Sequence, residues 1–227
     1  MKKFLKTETY KNFIIRNSIK NKNSFQINWK KINYNRIALI NLLLKNFNNP
    51  SYLEIGCNKN KLFDSIYVED KIGVDPIAGG NVRLTSDDFF KKNEKQFDLI
   101  FIDGLHEYHQ VRKDFENAHK ALKPNGYILL HDMHPRNIYE EYTPRINNIW
   151  TGDCWKLAYE IITKGELIKI IKIDFGVGVY KNSNNKFILN ASDFVNINKL
   201  NFNFFFENYN KFEILTFEEF KKSIENK

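Results

Sequence analysis

Short apolar runs alternate with helically spaced segments over most of this chain, and that alternation predicts a layered α/β fold. The clearest unit lies between Phe97 and Asp132. Leu99–Ile102 and Tyr127–Leu130 are continuous apolar runs, the pattern of strands buried on both faces in a parallel sheet. Between them, Tyr108 to Leu122 places Val111, Phe115, Ala118 and Leu122 on one helical face. Pro124-Asn125-Gly126 then breaks the helix before the second strand. The unit reads as a strand–helix–strand crossover. Its first strand runs into Asp103 and His106, its second into His131 and Asp132. Ligands of open α/β sheets bind beyond the carboxyl ends of strands, so these four residues are expected to meet around one crevice.

Upstream, Tyr34 to Phe47 carries Ile37, Leu39, Ile40, Leu43, Leu44 and Phe47 at helical spacing and stops at Asn48-Asn49-Pro50. Ser51–Ile55 reads as a strand that breaks into a polar turn from Gly56 to Asn60, with a helix expected through Leu62, Phe63 and Ile66. Lys71–Val74 is a second strand ending at Asp75-Pro76, Val82–Leu84 a third, and Phe89–Lys95 a helix. His134 to Arg145 reads as a polar loop, with His109 and His134 on loops or at the surface. Asp153 is placed to cap a helix running to about Thr163. Leu167–Asp174 and Gly176–Lys181 predict an antiparallel closing hairpin, and Thr216 to Phe220 a capping box opening a terminal helix.

The expected architecture is a Rossmann-like, seven-stranded, mostly parallel sheet with helices on both faces and an antiparallel last hairpin. It forms one domain over residues 1–227, with an N-terminal cap to about residue 36, a core over about 50–181, and a C-terminal extension over 182–227.

Composition narrows the classes. A hydrophobic fraction of 42%, with 20 Phe and 11 Tyr, supplies ample core and excludes long disorder. The net charge of +8 permits nucleic-acid or anionic partners. Its lysines are scattered among abundant asparagines, which reads as background composition rather than a built patch. Cys57 and Cys154 have neither metal-ligand spacing nor a secretory framework. The charged N-terminus has no apolar stretch behind it, and Ala38–Leu44 is far too short to span a bilayer. A soluble, cytoplasmic protein without a membrane span is expected; a homo-oligomer is left open.

The turn at Gly56 has Asn58 and Asn60 where further glycines often occur, and Asn is the next most tolerant residue of left-handed backbone. Glu54 is an acid inside a strand, suited to a cationic cofactor or its amine, or else to a solvated edge. Asp75 follows Gly56 by 19 residues, the interval between a glycine turn and a carboxylate that accepts ribose hydroxyls.

The series Leu53-Glu54-Ile55-Gly56, Gly73-Val74-Asp75, Phe97 to Gly104 and Gly126 to Asp132 resembles the class I S-adenosylmethionine-dependent methyltransferases over about residues 50–181. The resemblance implies S-adenosylmethionine as cofactor, with Glu54 and Gly56 lining its methionine and sugar region and Asp75 on the ribose hydroxyls. It implies Ser86 and Asp87 at the adenine, and Asp103 among the cofactor-binding residues.

Asp103 to Tyr108, with His131-Asp132, also looks like the metal-dependent small-molecule O-methyltransferases that include macrolide sugar methyltransferases and cephalosporin-modifying proteins. That narrower resemblance implies Asp103, His131 and Asp132 around a divalent metal (Mg²⁺ or Mn²⁺) and His106 as general base. The chain departs at His131, where a carboxylate is usual. Mg²⁺ prefers oxygen ligands, and imidazole suits Mn²⁺, Zn²⁺ or Fe²⁺ better. Either the metal differs, or His131 stands behind the ligands, or no metal binds. Trp150 and Trp155 either wall a saccharide site or pack in core or lid.

The implied reaction is O-methyl transfer to a small polar acceptor such as a sugar, sugar nucleotide or glycan substituent. Nucleic-acid methylation is the alternative raised by the charge. Against it, the strand ends in Ile102-Asp103-Gly104-Leu105-His106 rather than the Asn/Asp-Pro-Pro-aromatic motif of base-amino methyltransferases. A non-catalytic cofactor-binding partner of the same fold is the other alternative, and the set Asp103, His106 and Asp132 argues against it.

Overall fold

Seven strands, β1 (Ser51–Ile55), β2 (Asp70–Val74), β3 (Phe97–Ile102), β4 (Leu122–Leu130), β5 (Ile168–Ile171), β6 (Val177–Lys181) and β7 (Glu213–Leu215), form one sheet in the computed structural model. Residues 11–20, 23–182 and 189–225 are described; the first ten residues of the expected cap, 21–22, 183–188 and 226–227 lie outside them. The strand order is β2-β1-β3-β4-β6-β5-β7. Strands β2, β1, β3 and β4 are mutually parallel, β6 is antiparallel to both β4 and β5, and β7 is parallel to β5. The mostly parallel Rossmann-like sheet and its antiparallel β5–β6 pair are as the sequence predicts.

Strand residues alternate between two cores. Leu53, Ile100, Ile102, Ile128 and Leu130 pack with Phe115 of α4 (Tyr108–Lys120) and with Trp155 and Ile161 of α6 (Trp155–Thr163). Tyr52, Leu99, Phe101, Tyr127 and Leu129 pack on the other face with Leu39, Ile40 and Leu43 of α2 (Arg36–Leu44), and with Phe217 and Phe220 of α9 (Phe217–Glu225). The remaining helices are α1 over residues 11–18, α3 (Ser86–Lys92), α5 (Ile138–Glu141), α7 (Ala191–Asn198) and α8 (Phe202–Glu207). Among the described residues no helix is long and apolar enough to cross a membrane.

Register is what prepares the site. Ile55 pairs with both Val74 and Ile102, and Ile102 pairs with Leu130. The four parallel strands therefore end level, and the next residue of each, Gly56, Asp75, Asp103 and His131, stands in one row at the carboxyl edge.

Several local expectations change. Val82–Leu84 is no strand: a single bridge joins Val74 to Val82. Gly79 and Gly80, both at positive φ, turn the chain back there, and Thr85 at once caps α3, accepting from Asp88 N at 3.1 Å. The seventh strand is instead β7, three residues long and too short to show a period. The turn after Gly56 leads only to a 3₁₀ turn, Phe63–Ser65, not a full helix. Helix α4 stops at Lys120, and Leu122 with Pro124 to Gly126 opens β4. Asp153 does not cap α6, whose first flanking residue is Cys154. Its Oδ1 accepts from Tyr108 N at 2.7 Å, so it caps α4 from a distant loop. The terminal capping box is present: Thr216 N donates to Glu219 Oε2 at 2.7 Å, and Glu219 N to Thr216 Oγ1 at 3.2 Å.

Candidate active site

Gly56 locks the row of strand ends. Its φ is +88°, and a Cβ there would lie 2.1 Å from the Asp103 carbonyl oxygen. No side chain fits at that position. Asn58 and Asn60 take φ of 47° and 61°, so asparagine supplies the left-handed turn where glycine usually does. Asp75 fastens the same turn: Oδ2 accepts from Asn58 N at 2.9 Å, and Oδ1 from Ile77 N and Ala78 N, each at 2.8 Å. Burial opposes its ionisation, yet these bonds hold the carboxyl below its usual range.

Glu54 is 1% exposed, not a solvated edge residue. Tyr52 donates its hydroxyl to Glu54 Oε2 at 2.6 Å. Burial pushes the Glu54 carboxyl up to about 7.

Asp103, His106, His131 and Asp132 do meet. His106 Nδ1 lies 2.8 Å from Asp132 Oδ2, and its Nε2 lies 3.3 Å from Asp103 Oδ1. His131 Nδ1 lies 3.0 Å from Asp103 Oδ1 and 3.3 Å from Asp132 Oδ2. Asp132 adopts φ of 59°, a left-handed step that Asp tolerates. Burial resists protonation of His106, but the two carboxylates overcome it and push the imidazole up to about 10. Burial likewise resists, and the same carboxylates favour, a proton on His131. Both aspartates are held well below the ordinary carboxylate range in spite of burial, with His131 the largest opposing influence on each.

Oxygen and nitrogen atoms of Asp103, His131 and Asp132 converge within 4.8 Å of one another. The carboxylate pair, Asp132 buried and Asp103 half-buried, fits a hard divalent cation, which takes oxygen from one or two carboxylates and fills its remaining positions with water or substrate. His131 Nδ1 is buried and aligns with neither carboxylate as a hydrogen bond.

Ser86 and Asp87 stand on α3 at the flank of this row. Gln110 Nε2 reaches Ser86 Oγ at 3.3 Å, Asp87 Oδ1 at 3.4 Å and Asp114 Oδ1 at 3.0 Å, while Lys113 pairs with Asp87. Asp114 is buried and, through burial, pushed up to about 6. His109 is exposed and pairs with Glu107 at 3.4 Å.

His134 corrects the sequence reading, because it is fully buried. Its backbone N–H donates to Phe175 O at 2.8 Å, drawing it under α8. There its Nε2 lies 2.9 Å from the Tyr209 hydroxyl, amid the rings of Phe25, Trp29, Phe205 and Tyr209. Burial lowers its pKa to about 4. Trp155 belongs to the core. Trp150 stacks on His106, with ring centroids 5.4 Å apart and an interplanar angle of 19°, and so walls the site.

The residue that pattern reading missed is Arg36. Its Nη1 lies 2.7 Å from His131 Nε2 and 3.5 Å from Asp103 Oδ2. One signal was available: a cation in the first turn of a helix is disfavoured by the dipole, so an Arg directly after the Asn35 cap needs another partner.

Residues 69–133, which span β2 to the end of β4 and include Asp75, Asp103, His106, His131 and Asp132, match the family described as a methyltransferase domain. That match agrees with the sequence resemblance to the class I methyltransferases. The chain is 29% identical over 105 residues to an uncharacterized protein of Acanthamoeba polyphaga mimivirus, covering 42% of this chain and 45% of that protein. It is 42% identical over 43 residues to an uncharacterized protein of Sinorhizobium fredii, covering 19% of this chain and 5% of that protein. The chain thus spans less than half the length of either curated relative. Among solved structures, it resembles the MycE methyltransferase of mycinamycin biosynthesis, in complex with Mg and SAH, at a TM-score of 0.47 and 16% identity, over 68% of this chain and 51% of that one. A caffeoyl-CoA O-methyltransferase, so described provisionally, from Staphylococcus aureus has a TM-score of 0.47 and 16% identity, over 77% of this chain and 91% of that one.

Proposed function

We propose that the chain transfers a methyl group from S-adenosylmethionine to a hydroxyl of a small polar acceptor, a sugar, sugar nucleotide or glycan substituent, with a divalent cation at Asp103 and Asp132. The observation that carries this reading is His106 held between those two carboxylates, at the strand ends level with Gly56 and Asp75. Glu54, Gly56 and Asp75 then hold the cofactor's amine and sugar side, and Ser86 and Asp87 its adenine. The bound cofactor supplies an electrophilic methyl on a sulfonium, and its carbon–sulfur bond breaks as the acceptor oxygen bonds to carbon.

A hydroxyl is a poor nucleophile at neutral pH, so its proton must leave. A divalent cation held by Asp103 and Asp132 would lower the hydroxyl pKa and, by neutralising the two carboxylates, would let His106 release its own proton to water and so become a base. His106 takes the hydroxyl proton. Trp150 stacks against that ring, covers one of its faces and limits where an acceptor can lie. Alignment of acceptor oxygen with the methyl carbon supplies the rest. The two buried free cysteines suit a reducing cytoplasm.

The test is a radiolabelled-methyl transfer screen across sugar nucleotides and glycans, with RNA and DNA in parallel, each with and without a chelator. Label on a hydroxyl acceptor that is lost on chelation, and lost with divalent dependence in Asp132→Ala, supports the reading. Label on nucleic acid alone, or undiminished transfer after chelation, overturns it.

A further inference from the structure

The carboxylate that the narrower resemblance expects at position 131 is a histidine, and the structure places a second unexpected group against it. Arg36 Nη1 lies 2.7 Å from His131 Nε2. A guanidinium has only donors and never gives up its proton in a protein. A contact of that length therefore requires a lone pair on Nε2, so Nε2 carries no proton. The neutral ring then bears its one proton on Nδ1, the nitrogen that faces Asp103 and Asp132 at 3.0 and 3.3 Å. An N–H shared between two carboxylate oxygens points fully at neither, which accounts for Nδ1 lacking an aligned partner. The carboxylates' pull for a proton is met at Nδ1; a second proton on Nε2 would set two donors against each other at 2.7 Å.

We propose that Arg36 is a positioning residue that fixes the Nδ1–H tautomer of His131 and thereby removes His131 from the ligand set, leaving an all-oxygen site that selects a hard divalent cation.

Arg36 is well braced for this task. Asn35 caps α2 through Ala38 N at 3.2 Å, and Asp174 Oδ2 accepts from the Arg36 backbone N–H at 2.8 Å. The guanidinium carbon lies 5.9 Å from the centre of the Phe101 ring, and the side chain is 29% exposed. Helix α2 thus plants a fixed donor at the carboxyl edge of β3 and β4. Coordination through Nδ1 needs its lone pair, which in a neutral ring moves the proton to Nε2 and against Arg36. As long as Arg36 stays, His131 donates to the ligands instead of ligating. Such partners behind the ligands orient them and tune the metal. Oxygen-only donors favour Mg²⁺ and Mn²⁺, whereas a free imidazole would favour Zn²⁺.

The tautomer follows from ¹⁵N–¹H long-range correlation spectra of ¹⁵N-histidine-labelled, metal-free protein, with His131 assigned by loss of its signals in His131→Gln. The expected His131 pattern is pyrrole-type Nδ1 and pyridine-type Nε2, retained in Arg36→Lys and relaxed in Arg36→Met. A protonated Nε2 in the wild type, or an unchanged pattern in Arg36→Met, overturns the proposal. In Mn²⁺-loaded wild type, pulsed electron paramagnetic resonance should show no modulation from a directly bound nitrogen; such modulation, absent in His131→Gln, also overturns it. Arg36→Met should shift the preference between Zn²⁺ and Mg²⁺ toward Zn²⁺ by roughly tenfold or more, and an unchanged preference counts against the proposal. The metal arms rest on the cation reading above, whereas the tautomer arm does not. Failure to bind Mn²⁺, Mg²⁺ or Zn²⁺ sinks that reading, and a reversed tautomer sinks this one.

Discussion

His106 Nδ1 lies 2.8 Å from Asp132 Oδ2, although 26 positions and a whole helix separate the two residues in the chain. The contact joins the loop after β3 to the loop after β4 and presents one imidazole to both carboxylates. His106→Ala should retain S-adenosylmethionine and divalent-cation binding by calorimetry while losing turnover by roughly 10²–10⁴-fold, the usual range for a lost general base. Near-full turnover at neutral pH would place the base elsewhere.

Gly152 sets where His106 stands. Its φ is +61°, and a Cβ there would come 1.6 Å from the His106 carbonyl oxygen. Gly152→Ala must therefore displace the His106 loop from its present position. A misplacement of about 1 Å can cost ~10²-fold, so kcat should fall by at least tenfold while cofactor affinity, which the proposed function assigns to β1 and β2, stays close to wild type. Equal losses in both would mean that the substitution disturbs the fold rather than the base.

Asp75 ties three backbone N–H groups, and the proposed function gives it a second task at the cofactor. Charge-assisted bonds contribute roughly 1.5–3 kcal/mol each. Asp75→Ala should lower stability by about 2 kcal/mol or more even without cofactor, and weaken S-adenosylmethionine binding about tenfold or more. Denaturant melts and calorimetry separate the two effects. Unchanged cofactor affinity would remove Asp75 from the cofactor site.

Glu141 predicts a pH dependence of stability. Trp155 Nε1 donates to its Oε1 at 3.1 Å, and burial pushes the carboxyl from 4.5 up to about 7. The folded state thus holds a proton that the unfolded chain releases. Its contribution is fully present below pH 4.5 and is lost as pH rises through about 7. At ~1.4 kcal/mol per pH unit, this one group lowers stability by about 3 kcal/mol across that window. Glu141→Gln should flatten that part of the stability–pH curve. Glu54 shares the direction, so the wild-type slope is the steeper of the two; an equal slope in both proteins would contradict the assignment.

The apolar runs of β1, β3 and β4 and the helical face of α4 were legible because burial on two faces, or on one face every third or fourth residue, leaves its period in the chain itself. Gly56, the asparagine turn and the Thr216–Glu219 capping box were legible because each is a local conformational demand met within a few residues. The clustering of Asp103, His106, His131 and Asp132 followed from the crossover rule. Tertiary structure alone decided the rest. Leu215 joins the sheet only through its pairing with Ile171 of β5, Asp153 caps a helix 45 positions earlier, and His134 is drawn under α8 by a backbone bond to Phe175. Arg36 meets His131 across 95 positions. Each of these depends on register and packing between distant segments, for which a single sequence carries no period, and α2 contributes Arg36 to the site only because its apolar face is buried against β1, β3 and β4.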